Sequence, residues 1–196
     1  MATLTRCAWC EGDDLYVSYH DEEWGVPEFT EQGLFERLVL EGMQAGLSWL
    51  TVLKKRERMA QQFFGFDVAR LADAGESDVV SWLDDPGIIR HRGKLEAMIN
   101  NARLTREHPD FAGWLWQFAP SEPGRHEHLA SVPSETAESQ AMSKALKKAG
   151  YRFVGPTICY AFMQSVGMVN DHTVSCWRHQ PCAAMARSSD PRGVNE

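Results

Sequence analysis

An all-α fold is what this sequence predicts, on three observations. Apolar residues recur at helical spacing in one segment after another. The segments are bounded by residues that cap or stop helices. No run alternates polar and apolar side chains in the period of a strand, and no internal repeat is visible.

The first periodic segment begins at Glu31, where Leu34, Phe35, Leu38, Val39 and Met43 share one face without a proline; it predicts a buried helix ending near Gly46. Ser48 can cap the next helix, whose apolar stripe of Trp49, Val52, Leu53, Met59 and Phe63 opposes the basic residues 54–58. Short helices are expected over 68–74 and 78–83, before the turn Asp85-Pro86-Gly87. The stretch 94–106 carries Leu95, Met98, Ile99 and Ala102 on one side, and 109–118 is rich in Trp and Phe. Residues 120–136 hold three prolines and read as a surface connection with little regular structure. A further helix reads Ser139 as its cap, Met142, Ala145 and Leu146 as its interior and Gly150 as its stop. An apolar helix follows over 153–166, with Gly167 as stop, and the polar tail 178–196 is expected to be disordered. The expected unit is residues 1–177: a helical core of about 31–169 plus terminal segments 6–24 and 170–177.

Those terminal segments carry ligand-type residues. Cys7 and His20 lie in the aromatic-rich beginning of the chain, and His172 and Cys176 near its other end, spaced so that a helix would put them on one face. Two donors from each end make the four-coordinate Cys and His set that zinc prefers in closed structural sites, a tie suited to a reducing compartment where disulfides do not persist. With five cysteines in the chain and a Cys7-Ala-Trp-Cys10 pair, Cys10 or Cys182 could replace one of the four.

The 196 residues suffice for one large domain or two lobes, and seven tryptophans argue against a disordered chain. No apolar run approaches the roughly eighteen positions of a membrane span, so a soluble, cytoplasmic monomer with no membrane partner is expected. The net charge of −7 counts against a nucleic-acid partner, whose phosphates need cations. The basic residues are nevertheless bunched, in Lys54, Lys55, Arg56 and Arg58, in Arg90, His91, Arg92 and Lys94, and in Lys144, Lys147, Lys148 and Arg152. Such runs are solvated helix faces unless they share one surface.

Between the last two helices lies Gly150-Tyr-Arg-Phe-Val-Gly155. A glycine-bounded turn entering a helix leaves main-chain N–H groups open to an anion, and Pro156 suits the first helical turn. Gly150, Arg152, Val154 and Gly155 are therefore candidate contacts to a DNA phosphate, alongside the plainer reading of a helix stop and restart.

The helix, hairpin and helix around Phe153-Val-Gly-Pro-Thr157, with Val169-Asn-Asp-His-Thr-Val174 after it, resemble the helix–hairpin–helix DNA glycosylase superfamily. More closely, Tyr16-Val-Ser-Tyr-His-Asp-Glu-Glu-Trp-Gly-Val-Pro27, Leu40-Glu-Gly-Met-Gln-Ala-Gly-Leu-Ser-Trp-Leu-Thr-Val-Leu-Lys-Lys-Arg56, Gly87-Ile-Ile-Arg-His-Arg-Gly-Lys94 and Ser143-Lys-Ala-Leu-Lys-Lys148 resemble the 3-methyladenine DNA glycosylase I family, over about residues 6–177. The resemblance implies a monofunctional repair enzyme that cleaves the N-glycosidic bond of 3-methyladenine in alkylated double-stranded DNA and releases the free base. It places one structural zinc ion on Cys7, His20, His172 and Cys176. It groups Trp9, Tyr16, Tyr19, Trp24 and Trp49 as the walls of a pocket for an extruded base, with Glu41 as acceptor. It also makes Gln44, Gly46 and Leu47 DNA contacts that fill the gap in the stack. Periodicity alone leaves Glu41 open, since it could sit on the polar side of its helix. The superfamily's aspartate falls at Asn170, which implies weak electrostatic assistance and a narrow, cationic substrate range; a one-residue change of register would put Asp171 there instead. Two other classes fit parts of the sequence: a zinc-stabilised DNA-binding protein without catalysis, and a zinc hydrolase using Glu41 as general base, which would need an open metal position.

Overall fold

The computed structural model describes residues 4–122, 124 and 126–188. Among these residues there is no strand, only an isolated bridge between His126 and Thr173, and the architecture is all-α.

The core is built around α2 (Glu31–Gln44), whose residues Leu34, Phe35, Leu38, Val39, Leu40 and Met43 are all buried. Thr30 caps it, its hydroxyl accepting from Gly33 N at 3.1 Å. Against α2 pack α3 (Trp49–Gln62), α6 (Arg92–Glu107), α7 (Phe111–Trp116) and α9 (Pro156–Ser165). The short helices α4 (Val68–Asp73) and α5 (Glu76–Leu83) cover α6, and α8 (Ala137–Lys148) packs on α9. Ser48 caps α3 as expected, accepting from Thr51 N at 3.2 Å.

Four details differ from the sequence reading. A helix α1 (Asp14–Glu22), capped by Asp13, occupies the N-terminal segment; its inward face is Tyr19 and His20, so it carries no aliphatic stripe to announce it. The cap of α8 is Thr136 rather than Ser139: the two form a reciprocal box in which Ser139 Oγ accepts from Thr136 N at 2.9 Å and Thr136 Oγ1 from Ser139 N at 3.3 Å. The last apolar helix starts at Pro156, because Phe153 adopts a left-handed φ of 56° in the hairpin. The tail is not structureless throughout: α10 (His179–Ser188) follows the irregular segment of His172 and Cys176, anchored by buried His179 and Cys182, while residues 189–196 lie outside those described.

One close approach brings the chain ends together. Gly167, at φ 72°, turns the chain after α9 so tightly that a Cβ there would stand 2.6 Å from Pro27 N and 2.8 Å from Val26 C. The stop read from the sequence is thus also the contact that seats the N-terminal segment. Among the described residues no helix is long and apolar enough to cross a membrane.

Candidate active site and metal centre

Cys7, His20, His172 and Cys176 converge in a buried cluster whose donor atoms all lie within 4.8 Å of one another. His172 and Cys176 do so from an irregular segment rather than the helix their spacing would allow. Cys176 Sγ is 3.4 Å from His20 Nε2 and 3.6 Å from His172 Nδ1, and Cys7 Sγ is 3.8 Å from His172 Nδ1. The other ring nitrogens are engaged: His20 Nδ1 lies 2.7 Å from Asp21 Oδ1 and His172 Nε2 3.0 Å from Trp24 O. Both partners are acceptors, so the imidazoles carry their protons there and turn lone pairs into the cluster. Although burial opposes its charge, hydrogen bonds from Arg6, His20 and Trp177 hold the Asp21 carboxyl down at about 2. The interaction of the two neighbouring sulfurs pushes the Cys7 thiol up and draws Cys176 down. These four residues could hold a metal ion. Cys10 and Cys182 stand outside the set; Cys10 Sγ instead donates to Cys7 O at 3.1 Å.

The same terminal segment walls a cavity of about 240 Å³, sized for one flat heterocycle. All five expected aromatics, Trp9, Tyr16, Tyr19, Trp24 and Trp49, line it, and so does Glu41. Trp9 is the hub, with ring centroids 5.0 Å from Trp24 and 5.5 Å from Tyr16; Trp49 stands 5.3 Å from Tyr19. Trp9 and Trp24 also pack on the imidazoles of the cluster, at 5.5 Å from His20 and 4.6 Å from His172. Tyr16 is fixed by its hydroxyl, which accepts from Leu50 N at 3.2 Å in the first turn of α3.

Glu41 faces inward from α2, 4 % exposed, and its Oε2 has no hydrogen-bond partner among the described residues. Burial pushes its carboxyl up to about 8, against the weaker pull of the Arg37 charge. A second orphan, the buried Trp49 indole N–H, belongs to another lining residue. Glu41 Oε2 and this indole N–H, an acceptor and a donor among flat walls, are what a ligand with both groups on its edge would satisfy; Asp171 Oδ1, on the wall too, has no hydrogen bond among the described residues, only its contact with His126 Nε2 at 3.1 Å.

Several lining residues escaped the sequence reading. Leu129 and Val132 come from the 120–136 connection, which therefore covers the cavity rather than only bridging helices. It is moored by Val174 N donating to His126 O at 3.0 Å and by His126 Nε2, 3.1 Å from Asp171 Oδ1. Asp171, Ala161 and Gln164 line the cavity too. Of the two neighbours left open by the sequence, Asn170 points away, its amide donating to His179 O at 2.9 Å, and Asp171 is the one on the wall. Asp171 is wrapped, Oδ2 accepting from Tyr160 Oη at 2.6 Å and Gln164 Nε2 at 2.8 Å.

Gln44 reaches the cavity rim, and the turn after it presents Gly46, at φ 77°, and Leu47, 42 % exposed. Buried Lys94 sets this turn, donating to Met43 O at 2.8 Å and Ala45 O at 2.7 Å where helix α2 ends with open carbonyls. In the hairpin, Asn101 clamps Arg152 through both of its main-chain groups, at 3.0 and 2.9 Å. Gly150 takes φ 95°, Gly155 stands at the start of α9 and Arg152 is exposed; the Val154 side chain is buried, so any contact of that residue to DNA falls to its main chain. The basic runs fare unequally. Lys54 pairs with Asp13, Arg56 with Glu23 and Glu36, Arg58 with Asp85, and Arg92 with Glu76. Lys144, Lys147, Lys148 and Arg152 stay exposed beside the hairpin.

A closed cluster of residues that could hold a metal is stacked on an aromatic, carboxylate-bearing cavity, with a cationic hairpin at hand. Residues 9–179 match the methyladenine glycosylase family, and the chain belongs to it. It is 49 % identical over 179 residues to DNA-3-methyladenine glycosylase 1 of Escherichia coli (strain K12), covering 88 % of this chain and 96 % of that one. It is 46 % identical over 184 residues to DNA-3-methyladenine glycosylase of Haemophilus influenzae, covering 91 % and 97 %. A crystal structure of 3-methyladenine DNA glycosylase I superposes with a TM-score of 0.86 at 49 % identity, over 89 % of this chain and all of that one. The Staphylococcus aureus enzyme, solved to show how it recognises 3-methyladenine, superposes with a TM-score of 0.84 at 32 % identity, over 91 % and 98 %.

Proposed function

We propose that this chain is a monofunctional, monomeric glycosylase of the helix–hairpin–helix class that hydrolyses the N-glycosidic bond of 3-methyladenine in alkylated duplex DNA in the cytoplasm. Its unit is residues 1–177, with α10 as an appendage. The observation that carries the reading is Glu41, a buried carboxyl with an unpartnered oxygen inside a flat-walled cavity.

The chemistry follows from that residue. Burial pushes the Glu41 carboxyl up to about 8, which favours its protonated form at neutral pH. A base methylated at N3 carries a positive charge while it is attached to the sugar, so its arrival supplies the counter-charge that lets Glu41 ionise. A neutral base brings no such compensation and leaves the carboxyl uncharged. The cationic base is already a good leaving group, and the cavity adds extrusion, stacking and exclusion of water. Glu41 accepts from the exocyclic amine, and the Trp49 indole N–H faces a ring nitrogen. No lysine lines the cavity among the described residues, which fits release by water rather than through a covalent amine adduct.

The turn bearing Gly46 and Leu47 fills the space left by the extruded nucleotide. The main chain of Gly150, Val154 and Gly155 with Arg152 and the unpaired lysines of α8 grips the phosphates.

The cluster of Cys7, His20, His172 and Cys176 fits zinc. Bonds of about 2.3 Å to sulfur and 2.05 Å to nitrogen at tetrahedral angles would set sulfur and nitrogen about 3.6 Å apart; three of the four such separations are 3.4, 3.6 and 3.8 Å, and all four donor atoms lie within 4.8 Å of one another. Four protein donors leave no position for substrate, and Glu41 is not among them, so the ion ties the chain ends and the hydrolase reading has no support. The test is base release from methylated duplex DNA by the parent and by Glu41→Gln. Release of 3-methyladenine by the parent and its loss in the variant are expected; equal rates for the two would refute the assignment of Glu41.

A further inference from the structure

Gln164 and Asp171 both line the base cavity, and their hydrogen bond fixes something that a side-chain amide normally leaves open. Oxygen and nitrogen of a glutamine amide are nearly interchangeable in shape, so its orientation must be read from its partners. Here one partner decides. Asp171 Oδ2 accepts from Tyr160 Oη at 2.6 Å and lies 2.8 Å from the Gln164 amide. A carboxylate only accepts, so the amide must present its N–H group to Asp171. With the nitrogen held there, the half-buried Gln164 has its oxygen left for the cavity it lines.

From this we infer that Gln164 is a specificity-determining residue for adenine over guanine lesions, with Asp171 as the positioning residue that keeps its carbonyl oxygen turned to the base. The inference rests on the base-release reading and extends it to the choice of purine. Two acceptors, Glu41 Oε2 and Gln164 Oε1, then meet the exocyclic edge of the base. An adenine presents an amine there, with two hydrogens to donate. A guanine presents a carbonyl oxygen, which neither acceptor can satisfy and which both repel. Buried polar groups left unpaired discriminate more strongly than shape between bases of the same outline. The Asp171 carboxylate suits this role because it is enclosed, 0 % exposed at its side chain and tied by Tyr160 and Gln164.

The test uses full-length protein and duplex DNA carrying both 3-methyladenine and 3-methylguanine in one tube, so that the ratio of released bases reports the ratio of kcat/KM. The parent should favour the adenine lesion. In Gln164→Met, which keeps bulk but loses the acceptor, 3-methyladenine release should fall about tenfold more than 3-methylguanine release. In Asp171→Asn the amide is free to turn its N–H group to the cavity, and the ratio should move the same way, with a cooperative melt confirming that this variant folds. A parent without preference, or a ratio unchanged in both variants while rates fall in step, overturns the inference. Release of neither base by the parent would overturn the proposed function itself.

Discussion

Replacing Glu41 by Gln should make this protein more stable while it destroys the activity proposed for it. The carboxyl sits near 4.5 in an unfolded chain and is pushed up to about 8 by burial in the fold. Because the folded value is the higher one, the residue favours the fold below pH 4.5, and that contribution is lost as pH rises through about 8. At about 1.36 kcal/mol for each tenfold in proton affinity, the complete loss is roughly 5 kcal/mol, of which roughly 3 kcal/mol has gone by pH 7. A glutamine has the same outline and no charge to bury. Urea denaturation from pH 5 to 9 should therefore show the parent losing stability relative to the variant by roughly 3 kcal/mol at neutrality and more above pH 8, with the two converging near pH 5. Activity runs in the opposite sense: kcat/KM on methylated duplex should rise with pH toward about 8 in the parent, since it reports the free enzyme, and stay flat and low in the variant. A variant less stable than the parent at pH 8, or a parent whose stability does not fall between pH 5 and 9, would show that Glu41 is not buried as an uncompensated acid.

With the proposed zinc bound, chelation should lower the melting temperature by at least about 10 °C, because the four donors would tie both chain ends to the core. It should also shift tryptophan emission and abolish binding of free 3-methyladenine, since Trp9 and Trp24 lean on His20 and His172; calorimetry and fluorescence on chelated protein check both. Asn170→Asp should bring no release of neutral bases, as the side chain faces His179 rather than the cavity, and should cost about 1–3 kcal/mol by placing a second carboxylate beside buried Asp171; base-release assays and denaturation measure the two effects. Lys94→Met removes the donor to Met43 O and Ala45 O and should cost about 2–3 kcal/mol. Because those carbonyls set the turn bearing Leu47, the variant should lose more activity on duplex than on single-stranded methylated DNA, a ratio read by chromatography of the released base.

What the sequence made legible divides along a physical line. Helices α2, α3 and α6 could be placed because aliphatic periodicity and short-range caps are local signals, complete within a few turns. The convergence of Cys7, His20, His172 and Cys176 was legible because soft ligand types are few and the two pairs stand at opposite ends of the chain. The cap of α8 was misread by three residues because Ser and Thr serve equally at either end of a reciprocal box. The contribution of Leu129 and Val132 was invisible for a different reason: side-chain direction in irregular backbone follows from what the loop is moored to, here His126 against Thr173 and Asp171, and no periodicity encodes that mooring. Asn170 and Asp171 show the same limit at its sharpest, where neighbours in an irregular segment face opposite ways. Helix α10 was hidden by its lack of an aliphatic stripe, since among its described side chains the buried ones are His179 and Cys182.

The placement of the cavity explains why its residues are drawn from outside the helical core. Helix α2 can bring a carboxylate to the surface of the main core, but a core helix packs on its neighbours and leaves no flat slot beside it. The slot arises where a second, smaller cluster meets the first: Cys7, Tyr19, Trp24, Leu53 and Cys176, with Trp9, Tyr16 and Trp49 against them. Five large aromatics cannot close a slot onto themselves without an outside support, because any ring left unbraced would swing in to fill it. The braces are the imidazoles of the donor cluster, which touch Trp9 and Trp24, and the first turn of α3, which holds the Tyr16 hydroxyl. The Cys and His cluster thus supports the cavity walls through packing. By the same reasoning, substitutions that loosen the cluster should injure base binding before they injure the helical core, since the core keeps its own apolar contacts when the slot collapses.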